Sequence, residues 1–190
     1  SLPLPSTLGG VRITVGGVAA PVLSVSNNNG LEQVNFQVPF EVAGRDRVSV
    51  IVTRNGASDP VELPLSAAQP GVFTSDGARA IIVDAIENRV VEALERGRFY
   101  YFYATGLGAV SNAPQTGAAA PRNPLAQTRA GSQVRIGSAM AEVQYSGLAP
   151  DFAGLYQINI RVAENTRPGA ADLVLSVGGA ESPAVRVTVR

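Results

Sequence analysis

Leu155-Tyr156-Gln157-Ile158-Asn159-Ile160-Arg161-Val162 decides the fold. From Tyr156 onward, polar and apolar side chains alternate without a break, the pattern of a half-buried β-strand. Upstream, Leu31-Glu32-Gln33-Val34-Asn35-Phe36-Gln37-Val38 has the same form, Leu-x-Gln-(Val/Ile)-Asn-(Phe/Ile)-x-Val. One strand written twice marks the chain as a duplication, which sets the frame for everything around it.

The neighbouring pattern repeats as well. Val11-Arg12-Ile13 returns as Val134-Arg135-Ile136, and Pro3-Leu4-Pro5-Ser6-Thr7 is mirrored by Pro124-Leu125-Ala126-Gln127-Thr128. Gly16-Gly17 and Asn55-Gly56 predict tight hairpins in the first copy, and Gly178-Gly179 predicts one in the second. Short strands at near-regular spacing, separated by such turns, predict antiparallel β-sandwiches of immunoglobulin type. The second copy has an extra leading strand, Arg98-Phe99-Tyr100-Tyr101-Phe102-Tyr103-Ala104, whose counterpart in the first would lie before Ser1. The expectation is an all-β chain of two tandem immunoglobulin-like units, the first lacking its leading strand. The predicted division is 1–73, a connecting hairpin or linker at 74–97, and 98–190. Residues 78–97 admit two readings. One is a hairpin that turns at Glu87-Asn88, which we prefer; the other is a short helix over 90–95. The Ala/Pro/Gly-rich stretch 109–131 has almost no periodicity and reads as a long loop, functional or mobile.

Composition narrows the chemistry. The 190 residues carry 15 basic and 15 acidic side chains, so the net charge is zero, and every basic residue is Arg. A nucleic-acid partner is not expected, because phosphate binding needs a basic excess. There is no His, Cys or Trp, which removes disulfides and thiolate metal sites. Catalysis would then fall to carboxylates, Tyr or Ser, and no acid pair is spaced to flank a cleft. No catalytic, cofactor-binding or metal-binding residue is expected. Asp76, Asp84 and Asp151 lie near turns, but without the alternating oxygen ligands of a calcium loop. No apolar run reaches the roughly 18 residues of a membrane span, so membrane insertion is not expected either.

The segments Tyr103-Ala104-Thr105-Gly106-Leu107-Gly108, Val-x-Ile, Ala-x-Val and Gln-(Val/Ile)-Asn together resemble the IPT/TIG immunoglobulin-like domain. More narrowly, the chain is similar over nearly all its length to a duplicated carboxy-terminal module of large secreted proteins of soil acidobacteria. Gln69-Pro70-Gly71-Val72-Phe73 stands where that family joins its two units. Gly154-Leu155-Tyr156-Gln157-Ile158-Asn159 carries a second family segment. The lost first strand and residues 86–97 depart from the family pattern. The resemblance implies a secreted or cell-surface accessory module with no catalytic residues and no cofactor.

Several residues remain as candidates. Gln33 and Asn35, and likewise Gln157 and Asn159, project from one face of their strands. They would either read a sugar or peptide ligand or, as we expect, serve the fold by bonding loop backbone. Tyr156, just after Leu148-Ala149-Pro150, resembles a tyrosine corner whose hydroxyl bonds backbone a few residues upstream. Tyr100, Tyr101, Phe102 and Tyr103 form the candidate ligand or partner surface, with Phe99, Tyr101 and Tyr103 on one side and Tyr100 and Phe102 on the other. The expected function is a non-catalytic extracellular accessory module, a spacer, stabiliser or protein-interaction domain. Its partners would be other domains of a parent protein, or an extracellular protein or polysaccharide. The alternative is a carbohydrate-binding module using the aromatic strand 99–103.

Overall fold

The computed structural model describes residues 2–190. The chain forms two compact units, and both are discontinuous. Unit 1 comprises Ser1–Ala67, Ala113–Pro124 and Pro150–Gly154; unit 2 comprises Ala68–Asn112, Leu125–Ala149 and Leu155–Arg190. The contiguous division 1–73, 74–97 and 98–190 follows the repeat, whereas the compact units alternate along the chain.

The strands of unit 1 are β1 (Thr7–Leu8), β2 (Val11–Val15), β3 (Val18–Ala20), β4 (Val22–Asn28), β5 (Leu31–Phe36), β6 (Arg47–Thr53) and β7 (Val61–Pro64). One antiparallel sheet has the order β1-β2-β6-β7, with β3 folded back on β2; β4 and β5 form a separate two-stranded sheet. Val11, Ile13 and Val15 alternate inward along β2, while Arg12 points out. Ile13, Val15, Ala20, Val42 and Val48 make the core cluster, against which Val34, Phe36 and Leu65 pack. The sheet ends on β7, and Pro64 can sit there because an edge strand need not donate every ladder hydrogen bond. A single turn of 3₁₀ helix, Phe40–Val42, follows β5.

Unit 2 contains β8 (Gly71–Val72), β9 (Ile82–Asp84), β10 (Val90–Val91), β11 (Phe99–Thr105), β12 (Ser132–Ile136), β13 (Ala139–Leu148), β14 (Tyr156–Arg161), β15 (Gly169–Val177), β16 (Ala180–Glu181) and β17 (Val185–Val189). Their order is β10-β9-β11-β14-β13-β12-β15-β16, with β17 also on β15 and β8 also on β11. The long β13 serves both halves of this ladder. It pairs with β12 through Ala139 to Ala141 and, from Glu142 to Leu148, with β14. Each half buries one face. Tyr100, Phe102, Ala104, Ile158 and Ile160 come from one, and Val134, Ile136, Leu173, Leu175, Val185, Val187 and Val189 from the other. The chain is thus all-β with antiparallel sheets and inward alternation, the construction of immunoglobulin-like β-sandwiches.

Residues 78–97 resolve as the hairpin. Val83 pairs with Val90 and Ile82 with Val91 in antiparallel register. The leading strand of the second copy is β11, which pairs with β14 along its length. In unit 1, β5 pairs with β4 alone among the described residues, and no strand takes the place that β11 has beside β14.

Candidate functional site

The aromatic strand is divided by its own period of two. Tyr100 and Phe102 are 2% and 0% exposed, opposite Ile160 and Ile158 of β14. These two members of the expected surface therefore lie in the core of unit 2. Burial raises the Tyr100 phenol above its usual range, and its oxygen accepts the Glu95 N–H at 2.8 Å. Phe99, Tyr101 and Tyr103 remain on the outer face. They stand opposite Arg161, Asn159 and Gln157, which in turn stand opposite Glu142, Tyr145 and Gly147 of β13. The result is a strip of aromatic, amide and charged groups three strands wide.

Within the strip, the polar and aromatic groups engage one another. Tyr101 and Tyr103 meet edge to face, with ring centroids 5.7 Å apart and planes at 72°. The Tyr101 hydroxyl donates to Asn88 Oδ1 at 2.6 Å. The Arg161 guanidinium lies 5.9 Å from the Phe99 ring centroid and donates to the Gly97 carbonyl at 3.0 Å. Gln157 donates to Asn159 Oδ1 at 2.8 Å, and Gln33 to Asn35 Oδ1 in unit 1 at the same distance. Each amide pair thus bonds along its own strand. The expected partner, loop backbone, is replaced because two side chains on one face at i and i+2 are the nearest polar neighbours. Asn35 also donates to Ser24 Oγ across to β4 at 3.1 Å.

Tyr156 is 7% exposed, and its hydroxyl donates to the Gly108 carbonyl. The partner is 48 residues upstream, not in the adjacent corner, because β14 lies beside β11 and Gly108 follows that strand's end. Burial pushes the Tyr156 phenol up to about 12. A Tyr156→Phe variant should lose about 1–2 kcal/mol, since it leaves the Gly108 carbonyl without its donor. Thermal melts followed by far-UV circular dichroism measure this, and an unchanged midpoint would remove the bond's structural role.

A groove of about 340 Å³ lies at the hairpin, lined by Asp84, Glu87, Glu95, Arg98, Tyr100 and Arg190 among others. Arg98 sits at its centre, 3.1 Å from Asp84, 3.9 Å from Glu87 and 3.4 Å from Glu95. Asp84 is 3% exposed, and its Oδ1 accepts the N–H groups of Ile86 and Glu87, each at 2.9 Å. Those two hydrogen bonds, Glu87 first, hold its carboxyl below the ordinary 3.8, and Arg98 adds to them. A catalytic acid needs the opposite shift. This carboxylate instead closes the β9–β10 turn and anchors it to Arg98. Because its folded-state value is lowered, the stabilisation is present above pH 3.8 and lost as pH falls through and below it. Asp84→Asn should therefore melt below the wild type at pH 7, and the gap should narrow progressively as the pH is taken below 3.8. A gap of constant size across that range would contradict the assignment.

The other loop acids are similarly occupied. Asp76 Oδ1 accepts the N–H of Ala78 at 3.0 Å and of Arg79 at 2.7 Å, and Asp151 is paired with Arg122. Among the described residues no cluster of three or more acidic side chains is placed to hold a metal ion.

Sequence reasoning missed the role of the long loop. Its segment Ala113–Pro124 is part of unit 1. There the Gly117 N–H donates to Gln37 Oε1 at 2.9 Å, the Leu4 N–H donates to the Gly117 carbonyl at 2.8 Å, and the Thr116 hydroxyl accepts the Phe40 N–H at 3.0 Å. Gln37, 8% exposed, is the buried amide that receives this loop. The available signal was the last pair of the repeated strand, Gln37-Val38, where the second copy has Arg161-Val162. The chain matches no protein-family model and no curated protein sequence, so the reading below rests on its own residues and geometry.

Proposed function

We propose that this chain is a non-catalytic immunoglobulin-like accessory module of a larger secreted or surface protein, working as a protein-interaction and spacing domain. The supporting observation is the state of the outer strip on unit 2. A sugar platform needs a ring face lying open and flat. Here the Tyr101 and Tyr103 rings stand at 72° to each other, and the Phe99 face is overlain by Arg161. A rugged strip of tyrosine, arginine and paired amides has the composition of a protein contact, where Tyr and Arg are enriched. The IPT/TIG resemblance and the extracellular setting belong to this proposal.

Carbohydrate binding is the second reading, favoured by one observation: Phe99 is 43% exposed on the same face as Tyr101 and Tyr103. A glycan array and cell-wall polysaccharide screen on the whole chain decides between them, with Tyr101→Ala and Tyr103→Ala alongside. We expect no saturable glycan binding. Binding that is lost in both variants would replace the interaction reading with a sugar-recognition module. Turnover of a glycoside or ester substrate would overturn the non-catalytic assignment.

A further inference from the structure

Three turns place an Asn or Asp directly before a glycine: Asn29-Gly30, Asn55-Gly56 and Asp76-Gly77. In such a pair the glycine nitrogen can attack the preceding side-chain carbonyl carbon, and the missing Cβ leaves its approach open. The three are held differently. The Gly30 N–H donates to Asn27 Oδ1 at 2.9 Å, so that nitrogen is already engaged. The Arg79 and Ala78 N–H groups on Asp76 Oδ1 hold its carboxyl below the ordinary 3.8, and a carboxylate carbon resists attack. At Asn55-Gly56, neither the side-chain amide nor the glycine N–H has a hydrogen-bond partner among the described residues. Both residues are exposed, so water reaches them. The loop that carries them is closed by the Arg54 N–H on the Gly56 carbonyl at 2.9 Å and the Ser58 N–H on the Val52 carbonyl at 2.8 Å. Asn55 has φ +55° and Asn29 φ +54°, so this angle does not distinguish the two asparagines, whereas the hydrogen bond on Gly30 does.

We infer that Asn55 is a self-modification site, at which the chain converts its own side-chain amide to a carboxyl group with water as the only co-reactant. The Gly56 nitrogen gives up its proton and bonds to Asn55 Cγ. The Cγ–Nδ2 bond breaks, and the amide nitrogen leaves as ammonia, carrying that proton. The product is a cyclic succinimide spanning Asn55 and Gly56. Water then opens the ring at either carbonyl. Opening at Cγ leaves aspartate in the ordinary main chain. Opening at the backbone carbonyl leaves isoaspartate, with the main chain rerouted through the side chain. The surroundings give the change a consequence. Arg54, the preceding residue, is paired with Glu32 at 2.7 Å, and both side chains are exposed. The new carboxylate sets a second anion beside Arg54 in competition with Glu32. Isoaspartate also adds a methylene to the main chain inside the closed loop. Both changes loosen the link between β5 and the end of β6. None of the strip residues of unit 2 takes part, so the inference goes beyond the protein-interaction reading and does not depend on it.

The test ages the whole 190-residue chain in mildly alkaline buffer and follows it by peptide mass spectrometry. Cleavage after arginine puts Asn29 and Asn55 in separate peptides. The Asn55 peptide should gain the mass difference between a hydroxyl and an amino group at least about fivefold faster than the Asn29 peptide, because the Gly30 hydrogen bond must open first. Aspartate and isoaspartate forms, separated by chromatography, should both appear. A urea-unfolded sample is the reference, in which the two sites should react at similar rates. Asn27→Ala removes the acceptor of the Gly30 N–H, so in the folded chain it should raise the Asn29 rate toward that of Asn55. Asn55→Gln should abolish the gain in its peptide. The inference is overturned by equal rates at the two sites in the folded chain, or by a faster gain at Asn29. No gain at Asn55 while the unfolded reference gains it, or aspartate without isoaspartate, overturns it as well.

Discussion

Replacing Phe102 with alanine should destabilise unit 2 by about 3–5 kcal/mol, as large-to-small changes of buried aromatics do. The side chain is 0% exposed, and its strand is paired on both edges, to Ile158 on β14 and to Ile82 on β9. Strands fixed on two sides cannot close readily on a vacated site, so the loss includes a cavity as well as transferred surface. Phe99→Ala makes the matched comparison. It lies on the same strand but is 43% exposed and touches the Arg161 guanidinium rather than the core. Its loss should be about 1 kcal/mol or less, the worth of an exposed cation–π contact and partial burial. Thermal and urea unfolding by far-UV circular dichroism reports both, which suits a chain without tryptophan. Similar losses for the two variants would mean that the inward face of β11 has been assigned to the wrong side.

That comparison also shows how far the sequence could be read. The turns at Gly16-Gly17 and Asn55-Gly56 and the alternation of Val11, Ile13 and Val15 are local signals, and they correspond to observed elements. The buried side of β11 was not legible in the same way. Phe99, Tyr101 and Tyr103 on one face and Tyr100 and Phe102 on the other are equally aromatic, so no polar side marks solvent. The choice is made by β14, whose polar Gln157 and Asn159 stand opposite Tyr103 and Tyr101. That register is a long-range fact. The same limit hid the partner of Tyr156, which lies 48 residues away, and the docking of Gly117 on Gln37, 80 residues apart. In the hairpin of residues 82–91, helix and strand propensities were nearly balanced over Val90-Val91-Glu92-Ala93-Leu94-Glu95. The balance is broken by β11, whose edge pairs Tyr101 with Val83, and by the Asp84 carboxylate that closes the turn.

Gly106→Ala should be as damaging as some core truncations, about 3 kcal/mol or more, although the change adds a single methyl group. Gly106 has φ +74°, and a Cβ built there would lie 2.0 Å from the Gln69 carbonyl oxygen. Two costs add. The left-handed backbone costs alanine about 1–2 kcal/mol, and forcing an extra methyl into a packed site costs about 1–3 kcal/mol. The second cost is hard to escape, because the atom in the way belongs to backbone and is held by the same residue pair. The Gln69 N–H donates to the Gly106 carbonyl at 2.8 Å, so moving the chains apart breaks a hydrogen bond. Those backbone segments also lead into the β8–β11 pairing, where Gly71 stands opposite Thr105 and Val72 opposite Ala104. Gly77→Ala separates the two contributions. It has φ +81° but nothing within 4 Å of its Cβ position, so it should lose only the conformational part. A midpoint for Gly106→Ala well below that of Gly77→Ala assigns the difference to close backbone approach. Equal midpoints would mean that Gly106 is needed for its left-handed φ alone, and that the Gln69 segment can yield.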